Sequence, residues 1–273
     1  MIKLLAIDLD GTMYTTDRKI TQVVRDAIQE AVDNGIQPVI VTGRGRRGAE
    51  LALENLDRDF PYISSAGASI RSGLNGEIIG AFSFHQHDEV LQVIDFSRST
   101  KTGLITESIE GHNYWFGPDA MNEIMDPLTV TEALKSFRTT NPELDFDMPL
   151  LKITMTAPND LLKEAVKLIE TNCPSLDHVF SGTQYIDLTA KGVNKGSALQ
   201  VLAKEIGINR DEIASIGDQE IDLEMLKYSG MSFAMENAVA SLKNVASFIA
   251  PSNDKDGVAW AIKKIIQTNN MES

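Results

Sequence analysis

LLAIDLDGT, residues 4–12, sets an unbroken apolar run against two aspartates and a glycine. Apolar at each of its first four positions, the run reads as a short strand buried on both faces, the kind found inside a parallel sheet. The downstream residues keep to that pattern. Residues 11–20 form an irregular loop or small hairpin, and Thr21 caps a helix whose stripe is Val23, Val24, Ala27, Ile28, Ala31 and Val32. Asn34–Gly35 stops it. IQPVIVTG (36–43) is a second strand, GRRGAELALENL (45–56) a second helix and PYISSAG (61–67) a third strand. Strand and helix in alternation predict a doubly wound, Rossmann-like α/β sheet with right-handed crossovers.

The rhythm changes after residue 68. SIRSGLNGEIIGAFSF (69–84) has the turn punctuation of a hairpin, HDEVLQVIDFSRS (87–99) is helical, and GLITESIEGHNYWFG and LLKITMTAP are strand-like. A helix (NDLLKEAVKLIETN) and strand-like pieces in HVFSGTQYIDLTA come next. From Lys195 the alternation returns: KGSALQVLAKEIGI as helix, EIASIG as strand, DLEMLKYSG as a short helix and MSFAMENA as strand. VASLKNVASFIA and GVAWAIKKIIQ are expected to close the chain as helices. The predicted organisation is a discontinuous core, residues 1–82 and 188–273, split by an inserted α+β cap at 83–187.

Bulk composition narrows the function. Of 273 residues, 42% are hydrophobic and 23% charged, enough for a sizeable core. No apolar run approaches a membrane span, and the opening residues do not read as a secretory signal. The single cysteine, Cys173, rules out an internal disulfide and suits a reducing, cytoplasmic setting, where inert packing is its expected role. A net charge of −14 disfavours nucleic acid or anionic lipid as partners. A small anion can still be bound, given local help from a cation, a lysine or exposed amides.

In an open parallel sheet the carboxyl ends of the strands line one crevice. Asp8 and Asp10 follow the first strand, Thr42 the second, and Asp218 and Asp222 a late one, so residues distant in sequence converge. If Asp218 opens a helical turn, Asp222 lies at i+4 on the same face. Three or four carboxylates in one pocket repel one another, and a hard, oxygen-loving cation such as Mg²⁺ relieves them. Thr42 adds a hydroxyl donor, and Lys195, beside Gly196 at a helix start, adds positive charge. Such a pocket suits phosphoryl transfer, in which positioning and charge neutralisation do most of the work.

The same elements in the same order resemble the haloacid dehalogenase-like (HAD) phosphohydrolases. DLDGT at 8–12 is similar to the family's first motif, Thr42–Gly43–Arg44 to the second, Lys195–Gly196 to the third and GDQEID at 217–222 to the fourth. The insert and the tail SNDKDGVAWAI from Ser252 resemble the Cof-type branch. The resemblance implies a phosphatase acting on small phosphorylated metabolites such as sugar phosphates. Asp8 would attack phosphorus to give an aspartyl-phosphate, and Asp10 would act as general acid and then base. It implies Mg²⁺ between the Asp8 carboxylate, the Asp10 carbonyl and Asp218, with Asp222 close by. Leu9, Thr42, Gly43 and Arg44 would bind phosphate oxygens, Lys195 would neutralise phosphoryl charge, and the cap would close over the substrate.

Three departures are expected to matter. Ile221 stands where the family pattern has asparagine, Ala66 where NGA is usual and Glu236 where GNA is usual. One lost hydrogen bond to a charged group costs about 1.5–3 kcal/mol, or roughly one to two orders of magnitude in rate. The departures point to a reduced or selective phosphatase, and they keep two alternatives open, a phosphomutase and a catalytically weak sensor that binds a phosphorylated ligand. Simpler roles compete elsewhere. Asp222 also fits a helix-start acid, Arg46 and Arg47 a solvated helix start, and His85 and His87 polar residues opening the cap helix. Tyr114 and Trp115 fit either a substrate cavity or the cap's core.

Overall fold

The computed structural model describes residues 1–84, 87–100, 102–109, 113–116, 137–138 and 149–272. Along the chain, β1 (Leu4–Ile7) leads to α1 (Gln22–Asp33), β2 (Gln37–Val41), α2 (Arg46–Leu56), β3 (Tyr62–Ser64), β4 (Ser69–Arg71) and β5 (Ile78–Ala81). The middle comprises α3 (His87–Thr100), β6 (Gly103–Ser108), β7 (Asn113–Phe116), β8 (Phe137–Arg138), β9 (Leu150–Thr156), α4 (Asn159–Asn172), β10 (Leu176–Gly182) and β11 (Tyr185–Ala190). The last part runs through α5 (Lys195–Glu205), β12 (Ile213–Gly217), α6 (Leu223–Tyr228), β13 (Met231–Met235), α7 (Ala240–Lys243), β14 (Phe248–Ala250) and α8 (Gly257–Glu272).

Two compact units result, Met1–Gly80 with Asn194–Ser273, and Ala81–Val193. The first carries an eight-stranded sheet ordered β14-β13-β12-β1-β2-β3-β4-β5. Strands β14 through β3 run parallel, as a doubly wound α/β fold requires, and β4 returns antiparallel to β3. All four residues of β1 are fully buried, which accounts for the absence of polar/apolar alternation there.

Register places the crevice. Ile7 pairs with Ile216 of β12 on one side and Ile40 of β2 on the other. One step beyond Ile7 lies Asp8, and two steps beyond its partners lie Asp218 and Thr42. Three polar residues therefore leave neighbouring strands at one sheet edge.

Two local expectations are revised. Thr21 does cap α1, accepting from the Val24 amide at 3.2 Å, but the buried stripe is Val24, Ala27, Ile28 and Ala31. Val23 and Val32 are exposed at 48% and 38%, flanking the face that packs. Within VASLKNVASFIA, only Ala240–Lys243 is helical, and Phe248–Ala250 is the edge strand β14. Its partner supplies the reason: Phe248 lies opposite Phe233 of β13, and their rings stack with centroids 5.3 Å apart.

The second unit carries a sheet ordered β10-β11-β9-β6-β7-β8. Strands β10, β11, β9, β6 and β7 pair antiparallel. Leu104, Ile153, Met155, Ile186 and Leu188 share a core with Val93 and Ile94 of α3 and Leu162 and Ile169 of α4. Cys173 is buried in that core, as expected of an inert thiol, and burial pushes its pKa up to about 11. His85 and the side chains of His87, Tyr114 and Trp115 lie outside the described residues.

Candidate active site

Burial decides what the acids at the sheet edge can do. Asp8, Asp218 and Asp222 are 5%, 3% and 0% exposed, and one carboxylate oxygen from each lies within 4.8 Å of the others. Lys195, the first residue of α5, is fully buried among them. Its Nζ donates to Asp8 Oδ1 and to Asp222 Oδ1, both at 2.6 Å. The helix that carries it is anchored by Asn194, whose side chain accepts from the Ser197 amide while the Ser197 hydroxyl accepts from the Asn194 amide. Gly196 is required by close approach: a Cβ there would sit 2.5 Å from the Glu224 backbone of α6.

Asp222 does not sit one helical turn after Asp218. Residues 220–222 form a 3-10 turn ahead of α6, and Asp218 precedes it in the loop leaving β12. The Asp222 Oδ2 instead accepts from the amides of Asp218 (3.0 Å) and Gln219 (3.1 Å). With Oδ1 on Lys195, both of its oxygens are engaged. Asp218 accepts from the Thr12 hydroxyl at 3.0 Å and from Gln219 Nε2 at 3.2 Å. Gly11, at φ 75°, lets the chain turn there, and a Cβ on it would lie 2.3 Å from Asp218 Oδ2.

Three carboxylates face one ammonium, and the imbalance appears as shifted protonation. Burial, then Asp222, raises the Asp8 pKa well above the ordinary carboxylate value. Burial and Asp222 also push Asp218 up to about 6. Burial alone would lower Lys195, but Asp222 and Asp8 outweigh it and hold its pKa above the usual value. A hard divalent cation would supply the missing positive charge, and an all-oxygen donor set fits one. Asp8 and Asp218, together with backbone oxygens nearby, are the residues that could hold it.

Asp10 differs. Its carboxylate is 53% exposed and pairs with both arms of Arg44, Nε to Oδ2 at 2.6 Å and an Nη to Oδ1 at 2.5 Å. Arg44, expected on phosphate, turns its guanidinium to this acid and rests over the Tyr14 ring, 5.4 Å from the centroid. Thr42 is buried, and its hydroxyl accepts from the Arg44 amide at 3.1 Å. Leu9 and Gly43 complete the two loops around it, with Leu9 fully buried.

The departures now have positions. Ile221 is buried in the 3-10 turn, 9% exposed. Ala66 takes the left-handed conformation at φ 58°, next to Ser65 at φ 53°, with its amide bonded to the Thr42 carbonyl at 3.2 Å. Glu236 is exposed and paired with Lys255 at 3.0 Å, so its charge is met at the surface. Thr12, Tyr14, Gln219, Asn237 and Asn253 went unassigned by sequence reasoning. Thr12 closes DLDGT and could have been found by its place beside the acids. The others depend on contacts that no local pattern records.

A family model described as haloacid dehalogenase-like hydrolase matches residues 5–262. M6_Spy0533 of Streptococcus pyogenes serotype M6, named provisionally as a phosphatase, is 33% identical over 96% of this chain and 98% of its own. YwtE of Bacillus subtilis, named 5-amino-6-(5-phospho-D-ribitylamino)uracil phosphatase, is 30% identical over 97% of this chain and 98% of its own. The crystal structure of a haloacid dehalogenase-like hydrolase from Bacteroides thetaiotaomicron superposes with TM-score 0.82 at 26% identity, covering 97% of this chain and 100% of that one. With a match that spans nearly the whole chain, the protein belongs to the haloacid dehalogenase-like hydrolase family.

Proposed function

We propose that this phosphoric monoester hydrolase is Mg²⁺-dependent, works through an aspartyl-phosphate on Asp8 and acts on small phosphorylated metabolites, sugar and sugar-alcohol phosphates foremost. One observation carries the reading: a buried carboxylate, Asp8, is held on one oxygen by Lys195 within a three-carboxylate pocket, while a second acid, Asp10, stands exposed beside it in sequence. The phosphorylated ribityl chain in the name of the Bacillus subtilis relative supports the substrate class.

Each residue then has a task. With Oδ1 fixed by Lys195, the Asp8 Oδ2 is the oxygen that forms the bond to phosphorus. As the ester P–O bond breaks, Asp10 gives its proton to the departing alcohol oxygen. In the second half it takes a proton from the water that attacks the phosphoryl group, and Asp8 is regenerated. Thr42, Gly43 and the Leu9 amide hold phosphoryl oxygens, and Lys195 offsets their charge. Asp8, the Asp10 carbonyl and Asp218 would hold the metal, which when bound would neutralise charge on the transferring group. Asp222 supports the set from outside by fixing Lys195 and the Asp218 amide. The cytoplasm is the proposed setting, on the strength of the single buried cysteine.

Phosphate release from a panel of sugar and sugar-alcohol phosphates, with Mg²⁺ and with EDTA, tests this. Turnover that needs the metal and disappears in Asp8→Asn is expected. Equal turnover in EDTA would refute the metal dependence.

A further inference from the structure

The residues that grip the first-motif loop come from the far end of the chain. Asn237, after β13, donates from Nδ2 to the Gly11 carbonyl at 2.8 Å and accepts from the Asn253 amide at 3.1 Å. Asn253, 8% exposed, donates from its own Nδ2 to the Tyr14 carbonyl at 2.9 Å. Outside this pair the same segment also binds the loop at exposed or half-buried points: Asp254 accepts from the Thr16 amide and hydroxyl, and Asp256 from the Thr21 hydroxyl.

The path from Asn253 leads to chemistry. Tyr14 makes a bridge pairing with Asp10, and its amide donates to the Leu9 carbonyl at 2.8 Å. Its ring is the platform for Arg44, and Arg44 grips both oxygens of Asp10. Gly11, held by Asn237, is the residue next to Asp10. The exposed carboxylate is thus fixed from two sides, through its own backbone and through its cation. Both routes end in the same two asparagines.

We propose that Asn253, with Asn237, is a positioning residue for Asp10, setting where the proton of the leaving alcohol is delivered. This rests on the reading of Asp10 as general acid. A loop held merely for stability has no reason to discriminate among substrates. A held acid does, because an alkyl alkoxide needs protonation as it leaves and p-nitrophenolate does not.

The test compares a primary alkyl phosphate (glycerol 1-phosphate) with p-nitrophenyl phosphate, both with Mg²⁺, in wild type, Asn253→Ala, Asn253→Asp, Tyr14→Leu and Thr16→Ala. In single turnovers the Asn253 variants should lose about tenfold or more in the rate of alcohol release from the alkyl ester, with little change in the rate of the p-nitrophenol burst, whereas the second step, which needs Asp10 as base, slows alike for both esters. Tyr14→Leu, which removes the Arg44 platform while leaving both asparagines in place, should give the same signature even if the Asn253 variants fail to fold. Thr16→Ala cuts an exposed anchor of the same loop and should leave the ratio of the two esters unchanged. Equal losses on both esters in this first step, or an Asn253-like ratio in Thr16→Ala, would overturn the assignment. No turnover of either ester by wild type would instead overturn the underlying reading of the site, and this inference with it.

Discussion

Two ion pairs stand two residues apart in the first motif and differ in almost every physical respect. Asp8 and Lys195 are sealed from water, share a third partner in Asp222 and form part of the framework. Asp10 and Arg44 are half exposed and make a bidentate pair that is not enclosed. A buried pair left without one member strands a charge in a low-dielectric interior, at about 3–5 kcal/mol. An exposed pair contributes about 1 kcal/mol or less, because water screens it and solvates whatever remains. The first pair therefore resists change, while the second can exchange partners at small cost. A nucleophile needs the first property and a residue that both gives and takes a proton needs the second.

The comparison can be broken most easily at Lys195. Lys195→Met leaves Asp8 and Asp222 buried without their cation, and denaturant unfolding should show a loss of about 3–5 kcal/mol. A loss under about 1 kcal/mol would mean the pocket is wetter than its burial indicates. Next in size is Ile221→Asn, which adds an amide to the 3-10 turn behind the acids. Turnover of simple phosphomonoesters should rise about tenfold. An unchanged rate in a folded variant would remove Ile221 as the cause of any weak activity.

Arg44→Met sharpens the contrast from the exposed side. Stability should fall by less than about 1 kcal/mol, while alcohol release from alkyl phosphates in a single turnover slows far more than the p-nitrophenol burst. Smallest of all is a surface reference pair away from the crevice. Lys3 lies 2.5 Å from Glu212 and, with the Asn209 amide, lowers its pKa to about 2. A depressed carboxylate stabilises the fold above its ordinary pKa, and that contribution is lost as pH falls toward the depressed value. Between pH 4.5 and about 2, Lys3→Met should therefore show a shallower fall in Tm than wild type. The two should nearly coincide at the acid end of that window, and above pH 4.5 wild type should keep a small lead, small because the pair is exposed.

The parallel core was legible because its strands are buried on both faces and its helices carry stop signals, as in Asn34–Gly35. The convergence of the acids was legible for a related reason: side chains at strand ends are placed by register, which the order of the elements fixes. What escaped was nonlocal or too short. Phe248–Ala250 is three residues long, below the span over which a period can be counted, and only pairing with β13 makes it a strand. Asp222 was expected at i+4 on a helical face, but its carboxylate turns back to cap the amides of its own loop. Asn253 belongs to a stretch, SNDKDG, that no periodicity places. Its contact with Tyr14 crosses 239 positions. The pairing of the Arg44 guanidinium with Asp10 is likewise a side-chain contact between two loops that no sequence pattern records.

The central claim is that Asp8 carries the phosphoryl group, and trapping that species tests it most directly. In Asp10→Asn with p-nitrophenyl phosphate and Mg²⁺, the first step needs no acid, whereas the second lacks its base. The account predicts a burst of p-nitrophenol stoichiometric with enzyme, then slow turnover, and acid-quenched protein phosphorylated in the peptide that contains Asp8. Sustained phosphate release with no phosphorylated peptide, or with the group on a residue other than Asp8, would contradict it.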